Sequence, residues 1–380
     1  MHNLLATSSK GLFAFTLTGD VTPVGLQGTV VSQTAARNGV VLAAVPAFQE
    51  VHKMMSYGDS DSSRRQPGLY MFDLAGGDAN GKHVYNGNVK SCAIGKGSAA
   101  GKQRWYAGTE PADVVISEDM GATWADTDSF KALPARDSWT FPAEPHKPHT
   151  LSIDFASNPA AGRQAAAEDV VMAGVEVGGC LVSSSDGMWE TRHGSGHSQL
   201  CVDVHQLRPD PFDANRWFAT CGATPQLGIS GGCFVTEDQG ATWRRLFDGG
   251  PGQQQAKGFA EGQGYAIGLA LNPFRQGELL VTAGDRPPGI GVHIYHSVDG
   301  GKSFNDITDK VYGAEELKAC KGGHTPVPYF VKEGALLGSD TGDILICKDA
   351  RLAAWQRACQ LPGHITTITA IDRSPSSVIH

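Results

Sequence analysis

The chain has 380 residues, 41 % of them apolar, which is enough to bury a substantial core; two domains or one extended β architecture fit that length. With 48 Gly, 20 Pro and only 18 % charged residues, the composition favours many short strands joined by turns. The net charge of −8, with no Lys/Arg block, argues against nucleic acid or an anionic membrane surface as a partner, and no run approaches the roughly 18 apolar residues of a membrane span.

The opening "MHNLLATSSKGLFAF" reads as strand, turn and strand, and it lacks the basic segment and apolar stretch of a signal peptide. From there a phrase rich in β-formers and ending in small residues returns along the chain. It appears as "LLAT" (4–7), "VVLAAV" (40–45), "WYAGTE" (105–110), "VVMAGVE" (170–176), "WFATCG" (217–222), "LLVTAGD" (279–285) and "ALLGSD" (335–340). After each comes a Gly-rich turn and another strand, such as "GLFAFTL", "GCLVSS" or "DILIC"; before many stands a further apolar strand, such as "HTLSIDF", "DVHQLRP" or "YAIGLALNP". The segment "HKMMSYGDSDSSRRQ" (52–66) reads as a surface insertion, and "GKGSAAGKQ" (95–103) as a loop, because no strand–loop–helix context of a phosphate site surrounds it.

No amphipathic helix longer than two turns is evident, which sets alternating βα units aside. Four short strands per unit, seven units and a spacing of about 35–65 residues predict one all-β domain over residues 1–380, a seven-bladed β-propeller of four-stranded blades. The last strand, "HITTITAI" (364–371), has no phrase of its own after it, and "LLAT" has no inner strand before it. Pairing the two would close the propeller with a blade built from both termini and remove an open edge. The eight cysteines contain no CxxC, so they read as buried thiols rather than a zinc site; Cys221/Cys233 and Cys347/Cys359 flank apparent hairpins and could be bridged.

An octapeptide punctuates this repeat: "SEDMGATW" at 117–124, "TEDQGATW" at 236–243 and the looser "SVDGGKSF" at 297–304, with worn versions ending at Trp189 and Trp355. Its pattern, S-x-D-x-G-x-T-W, resembles the Asp-box, or BNR repeat, of sialidase-like propellers, sortilin-type receptors, xyloglucanases and photosystem assembly factors. The resemblance implies a propeller with the box in the turn between the third and fourth strands of a blade, and it selects no single family. Asp can bond the amides of its own turn, Gly can take a conformation closed to other residues, and Trp can plug the space between blades, so the box reads as structural rather than catalytic.

If the boxes lie at one end, the opposite end carries the turns between second and third strands and the connections between blades. Those connections are long at 133–149, 191–201, 249–265 and 307–324, and long loops grouped on a rigid scaffold are where a binding site is expected. Histidines gather in them, including His146, His149, His193, His197 and His324. His149, His205, His324 and His364 stand at or near the start of an inner strand facing the central channel, and are the candidate ligands of a divalent metal ion. His149 and His205 with Glu110 and Glu176 are the candidate catalytic acids and bases; Glu110 and Glu176 sit in diverged copies of one turn, where paired carboxylates could hydrolyse a glycosidic bond. Asp285, Arg286, Asp340 and Tyr265 are the candidate substrate contacts. No HxH or HExxH motif occurs, so these roles rest on placement in the repeat.

Two classes of function follow. One is an enzyme, a hydrolase or lyase acting on a small molecule or sugar and assisted by a metal ion, in a His- and carboxylate-lined pocket at the channel mouth. Sialidases use an arginine triad, of which only Arg286 has a counterpart here, and xyloglucanases use two propellers where this chain has room for one. The other is a non-catalytic scaffold or ligand-binding propeller resembling the photosystem assembly factors, whose basic patch has no counterpart in this acidic chain. Sortilin-type receptors carry a larger propeller followed by Cys-rich modules absent here.

Overall fold

The computed structural model describes residues 4–47, 65–74, 80–96, 102–156, 170–183, 187–195, 199–223, 231–246, 265–285, 287, 289–313 and 324–371. Most of the 52–66 insertion, most of the 249–265 loop, His197 and Arg286 lie outside them. The chain folds as a seven-bladed β-propeller: seven antiparallel sheets, each of four strands. Blade 1 is completed from both termini, in the order Ile365–Ala370, Leu4–Ser8, Gly11–Phe15 and Val21–Gly25. Blades 2 to 7 take consecutive strands within residues 33–86, 89–126, 149–191, 204–245, 265–306 and 327–360. No helix among the described residues is long and apolar enough to cross a membrane.

Two compact units divide the chain. The first comprises Met1–Asp126, Gly338–Leu345 and Arg357–His380; the second comprises Thr127–Leu337 and Ile346–Gln356. In the first, the expected closure is present. Leu4 pairs with Ala370 and Thr7 with Thr367, the hydroxyls of Thr7 and Thr367 are 2.7 Å apart, and the Ser9 amide donates to the His364 carbonyl at 2.9 Å. Its core joins Leu5, Leu12, Val41, Ala43, Tyr70 and Phe72. In the second unit, Met172, Leu207, Trp217, Phe234 and Trp243 form the equivalent layer between blades 4 and 5. Strands covered on both faces read as continuous apolar runs, which is why the recurring phrases lack polar alternation.

Each octapeptide closes its turn by the same hydrogen bonds. In the second copy the Thr236 hydroxyl accepts from the Gly240 amide (2.8 Å) and donates to Asp238 Oδ1 (2.7 Å). Asp238 in turn accepts from the Thr242 amide (2.8 Å) and hydroxyl (2.6 Å). Ser117/Asp119/Thr123 and Ser297/Asp299/Ser303 repeat the pattern. The turn needs two successive left-handed residues, Met120–Gly121 (φ 59° and 81°) and Gln239–Gly240 (56° and 86°), and glycine takes the second without strain. Trp124 Nε1 donates to the Val84 carbonyl and Trp243 Nε1 to that of Arg192, so each indole ties its blade to the one before.

Those bonds also hold the box carboxylates ionised. The Thr123 hydroxyl and amide lower Asp119 to about 2 against the opposing effect of desolvation. For Asp238 and Asp299, partial burial acts upward but is outweighed by the bonds from Thr242 and Ser303, so both are lowered. The octapeptides are turn-builders. The seven described cysteines are free thiols, six of them buried, and neither Cys221/Cys233 nor Cys347/Cys359 is bridged.

Candidate functional site

Strand registers fix which end of each blade carries the chemistry. In blade 5, Thr236 of the box pairs with Trp217, whereas Cys221 pairs with Val204 at the other end, next to Asp203, His205 and Gly222. In blade 6, Ser297 of the box pairs with Leu279, and Gly284 pairs with Tyr265 at the far end. Box and histidine-bearing loops therefore occupy opposite ends of these blades, as the alternation of loop classes requires.

A shared irregularity organises that end. The inner strands of blades 3, 4, 5 and 6 each carry one extra residue near their start, so the register shifts past Lys90, Leu151, His205 and Ile267. Such a bulge re-aims the side chain of the inserted residue. Two positions before the extra residue stand Asn88, His149, Asp203 and Tyr265; opposite them stand Glu110, Glu176, Gly222 and Gly284. His149 and His205 are therefore not equivalent: one opens its strand and the other is the bulge. The blade-6 counterpart of Glu176 is Gly284.

In the second unit these positions converge. His149 Nε2 lies 2.5 Å from Glu176 Oε2, and the Phe141 ring packs 4.8 Å from the imidazole. His205 Nδ1 contacts the Ala266 carbonyl at 2.7 Å; a carbonyl only accepts, so Nδ1 carries the proton. Its Nε2 then faces Glu176 Oε1 at 3.9 Å and Asp203 Oδ1 at 3.8 Å. One oxygen of Glu176, one of Asp203 and a His205 nitrogen all lie within 4.8 Å of one another. The Tyr265 ring stands edge-on to His205 at 4.9 Å. Burial first, and then the carboxylates of Glu176 and Asp203, push its phenol well above the ordinary tyrosine value, so it remains a neutral donor.

The backbone pre-sets this group. The turn after Glu176 begins with Val177 in a left-handed conformation (φ 55°), and the amides of Gly178 and Gly179 both donate to the Val202 carbonyl, at 3.0 and 2.9 Å. That doubly bonded carbonyl straps the segment leading into blade 5 to the blade-4 turn, holding Asp203 beside Glu176. The Gly222 amide donates to the Asp203 carbonyl at 2.8 Å. A Cβ on Gly222 would sit 2.4 Å from Asp203 Oδ2 and 2.9 Å from His205 Nε2, so glycine is what lets these side chains lie over the strand end.

The remaining candidates are placed elsewhere or differently. Glu110, in the first unit, is bonded to Lys90 at 2.9 Å with both side chains buried, so this carboxylate is neutralised within its own blade. His364 and Asp340 also belong to the first unit. His324, in the second, forms a backbone bridge with Ile290 three residues ahead of its strand. Asp285 is exposed and bonds His293 Nε2 at 2.8 Å. Arg286 lies outside the described residues. Asp203 is the member of this cluster that the sequence analysis did not single out. The signal was present: Asp203 and His205 stand two apart in an extended segment, the spacing that puts both on one side of a strand.

No protein-family model and no curated protein matches the chain. Among solved structures, it is similar to the GH74 xyloglucanase from Xanthomonas campestris (TM-score 0.64, 16 % identity, 94 % of this chain and 52 % of that one). It is also similar to the Niastella koreensis GH74 enzyme (0.61, 12 %, 93 % and 51 %) and to YCF48 from Cyanidioschyzon merolae (0.50, 12 %, 88 % and 88 %). The chain thus spans about half the length of the two GH74 structures. At these identities the likeness is one of fold, and it joins the strand topology in defining a β-propeller.

Proposed function

We propose that this chain is an enzyme of the hydrolase type acting on a carbohydrate, with Glu176 and Asp203 as its working carboxylates. The observation that carries the reading is their convergence on His205, with one oxygen from each within 4.8 Å. Glu176, with a side chain 13 % exposed, is the more open of the two, and the 2.5 Å contact with His149 places one shared proton between Nε2 and Oε2. That proton is available to a departing alkoxide, while buried Asp203 supplies the negative charge that meets a developing oxocarbenium ion. Phe141 and Tyr265 flank the pair with aromatic surface against which a sugar ring can stack, and the Tyr265 phenol donates to a sugar oxygen.

The likeness to a xyloglucanase makes xyloglucan the first substrate to try, followed by aryl glycosides and other β-glucans. Release of reducing ends is expected, and Glu176→Gln or Asp203→Asn should lower kcat about 10²-fold or more in protein that melts cooperatively. A folded protein that binds a glycan or peptide saturably without turning any glycan over would refute the hydrolase and favour the ligand-binding scaffold.

A further inference from the structure

We propose that Glu176, Asp203 and His205 hold a divalent cation between them, in a site that Gly222 keeps accessible. The inference goes beyond the hydrolase reading and stands without it, since it concerns only the ion.

The first argument compares like with like inside one structure. Four other histidines among the described residues meet carboxylates, all at hydrogen-bond distance: His149–Glu176 at 2.5 Å, His293–Asp285 at 2.8 Å, His296–Glu278 at 2.9 Å and His146–Glu144 at 3.1 Å. His205 alone among these five stands off, 3.8 and 3.9 Å from two carboxylates at once. A proton on Nε2 would draw one oxygen to the distance seen in the other four. With Nδ1 committed to the Ala266 carbonyl, Nε2 instead presents a lone pair toward two anions. An ion placed among the three atoms turns that repulsion into coordination.

The spacing suits an ion. Ligand atoms about 2.1 Å from a tetrahedral centre are about 3.4 Å apart; the two separations from His205 Nε2, 3.8 and 3.9 Å, need to close by only a few tenths of an ångström, and the two carboxylate oxygens lie within 4.8 Å of each other. The carboxyl groups of Glu176 and Asp203 also offset the ion's charge in a largely buried site. A donor set of two oxygens and one nitrogen suits Mn²⁺ or Zn²⁺ better than a soft, thiolate-seeking ion.

Supporting contacts resemble those that orient metal ligands elsewhere. A backbone carbonyl fixes the His205 tautomer, and His149 holds Glu176 through Oε2, leaving Oε1 turned toward His205. Position 222 completes the arrangement. Blades 3 and 4 place a glutamate there and blade 5 a glycine, against which the Asp203 carboxylate and the His205 ring rest. In blade 3 the bulge residue is Lys90, whose ammonium pairs with the glutamate of its own blade. In blade 5 the cation would be the ion.

The test uses the full chain, stripped with a chelator and titrated calorimetrically with Mn²⁺ and, separately, Zn²⁺. One ion per chain is expected, weakened at least 100-fold by Asp203→Asn and by His205→Gln. Gly222→Ala, which keeps all three ligands but drives a methyl against two of them, should weaken it at least tenfold. A direct readout on the unaltered protein guards against variants that fail to fold. Mn²⁺ added to the unaltered chain should lose its free-ion EPR signal up to one equivalent, and Zn²⁺ should restore that signal by competition. Chelated protein that binds neither ion at millimolar concentration would overturn the proposal. So would binding undiminished in folded Asp203→Asn and His205→Gln, which would mark an adventitious ion. Hydrolysis without ion binding would sink this inference alone, and ion binding without hydrolysis would sink only the enzymatic reading.

Discussion

Replacing Lys90 with methionine isolates the role of Glu110. The Lys90 Nζ–Glu110 Oε2 contact is 2.9 Å and the two side chains are 7 % and 5 % exposed, so solvent screens the pair little. Breaking a buried pair from one side costs about 3–5 kcal/mol, because a charge stays behind without its counterion. Lys90→Met should therefore destabilise the protein by about 3–5 kcal/mol. The double variant Lys90→Met/Glu110→Leu, which removes both charges, should return close to the parent's stability. Denaturant unfolding followed by the fluorescence of Trp105 and Trp124 measures both variants. A single variant costing less than about 1 kcal/mol at pH 7, or a double variant no better than the single, would refute the reasoning. Loss of turnover in stable Glu110→Gln would return Glu110 to the catalytic set.

Asp238→Ala removes the acceptor of the Thr242 amide and hydroxyl; because the turn is solvent-exposed, the cost should be about 1–2 kcal/mol, with activity per folded molecule unchanged. The three box aspartates also set an acid limb. A carboxylate whose folded value is depressed adds stability above its unfolded value near 3.8 and loses it as pH falls through the folded value, about 2 for Asp119. Stability should fall between about pH 4 and pH 2, and a variant with Asn at 119, 238 and 299 should show a shallower fall by circular dichroism. Deleting residues 365–371 strips the partner of Leu4–Ser8 and leaves an unpaired edge; light scattering should report aggregation, and a monomeric, unchanged truncation would contradict the closure.

The fold was legible because its determinants are local and repeated. The octapeptide can close one kind of turn, and an apolar run ending in small residues suits a strand covered on both faces. The closure, too, followed from an inner strand wanting at one terminus and a surplus one at the other. The site was legible only in pieces. His149, Glu176, His205 and Tyr265 stood out by residue type, but a single inserted residue in the inner strands of blades 3 to 6 shifts which side chains share a position, and repeat spacing does not register it. That shift makes His205 the counterpart of Lys90 rather than of His149. It also hid the partner of Glu110, since nothing in the string "VKSC" shows that its lysine turns back on the strand's neighbour.

The pairing of Thr7 with Thr367 has a consequence for biosynthesis. Some 360 residues separate the two strands, and at about 5–20 residues per second the ribosome needs about 20–70 s to deliver the second after the first. For that interval "LLATS", a strand buried along its whole length in the folded protein, has no inner neighbour. Blades 2 to 6 can form as they emerge, but blade 1 must wait. The nascent chain therefore presents one persistent sticky strand, and a trigger-type chaperone occupying residues 4–8 until synthesis ends would raise the yield of folded protein. Translation slowed by rare codons should lower the yield when such cover is missing, which a comparison of soluble fractions at two elongation rates would reveal.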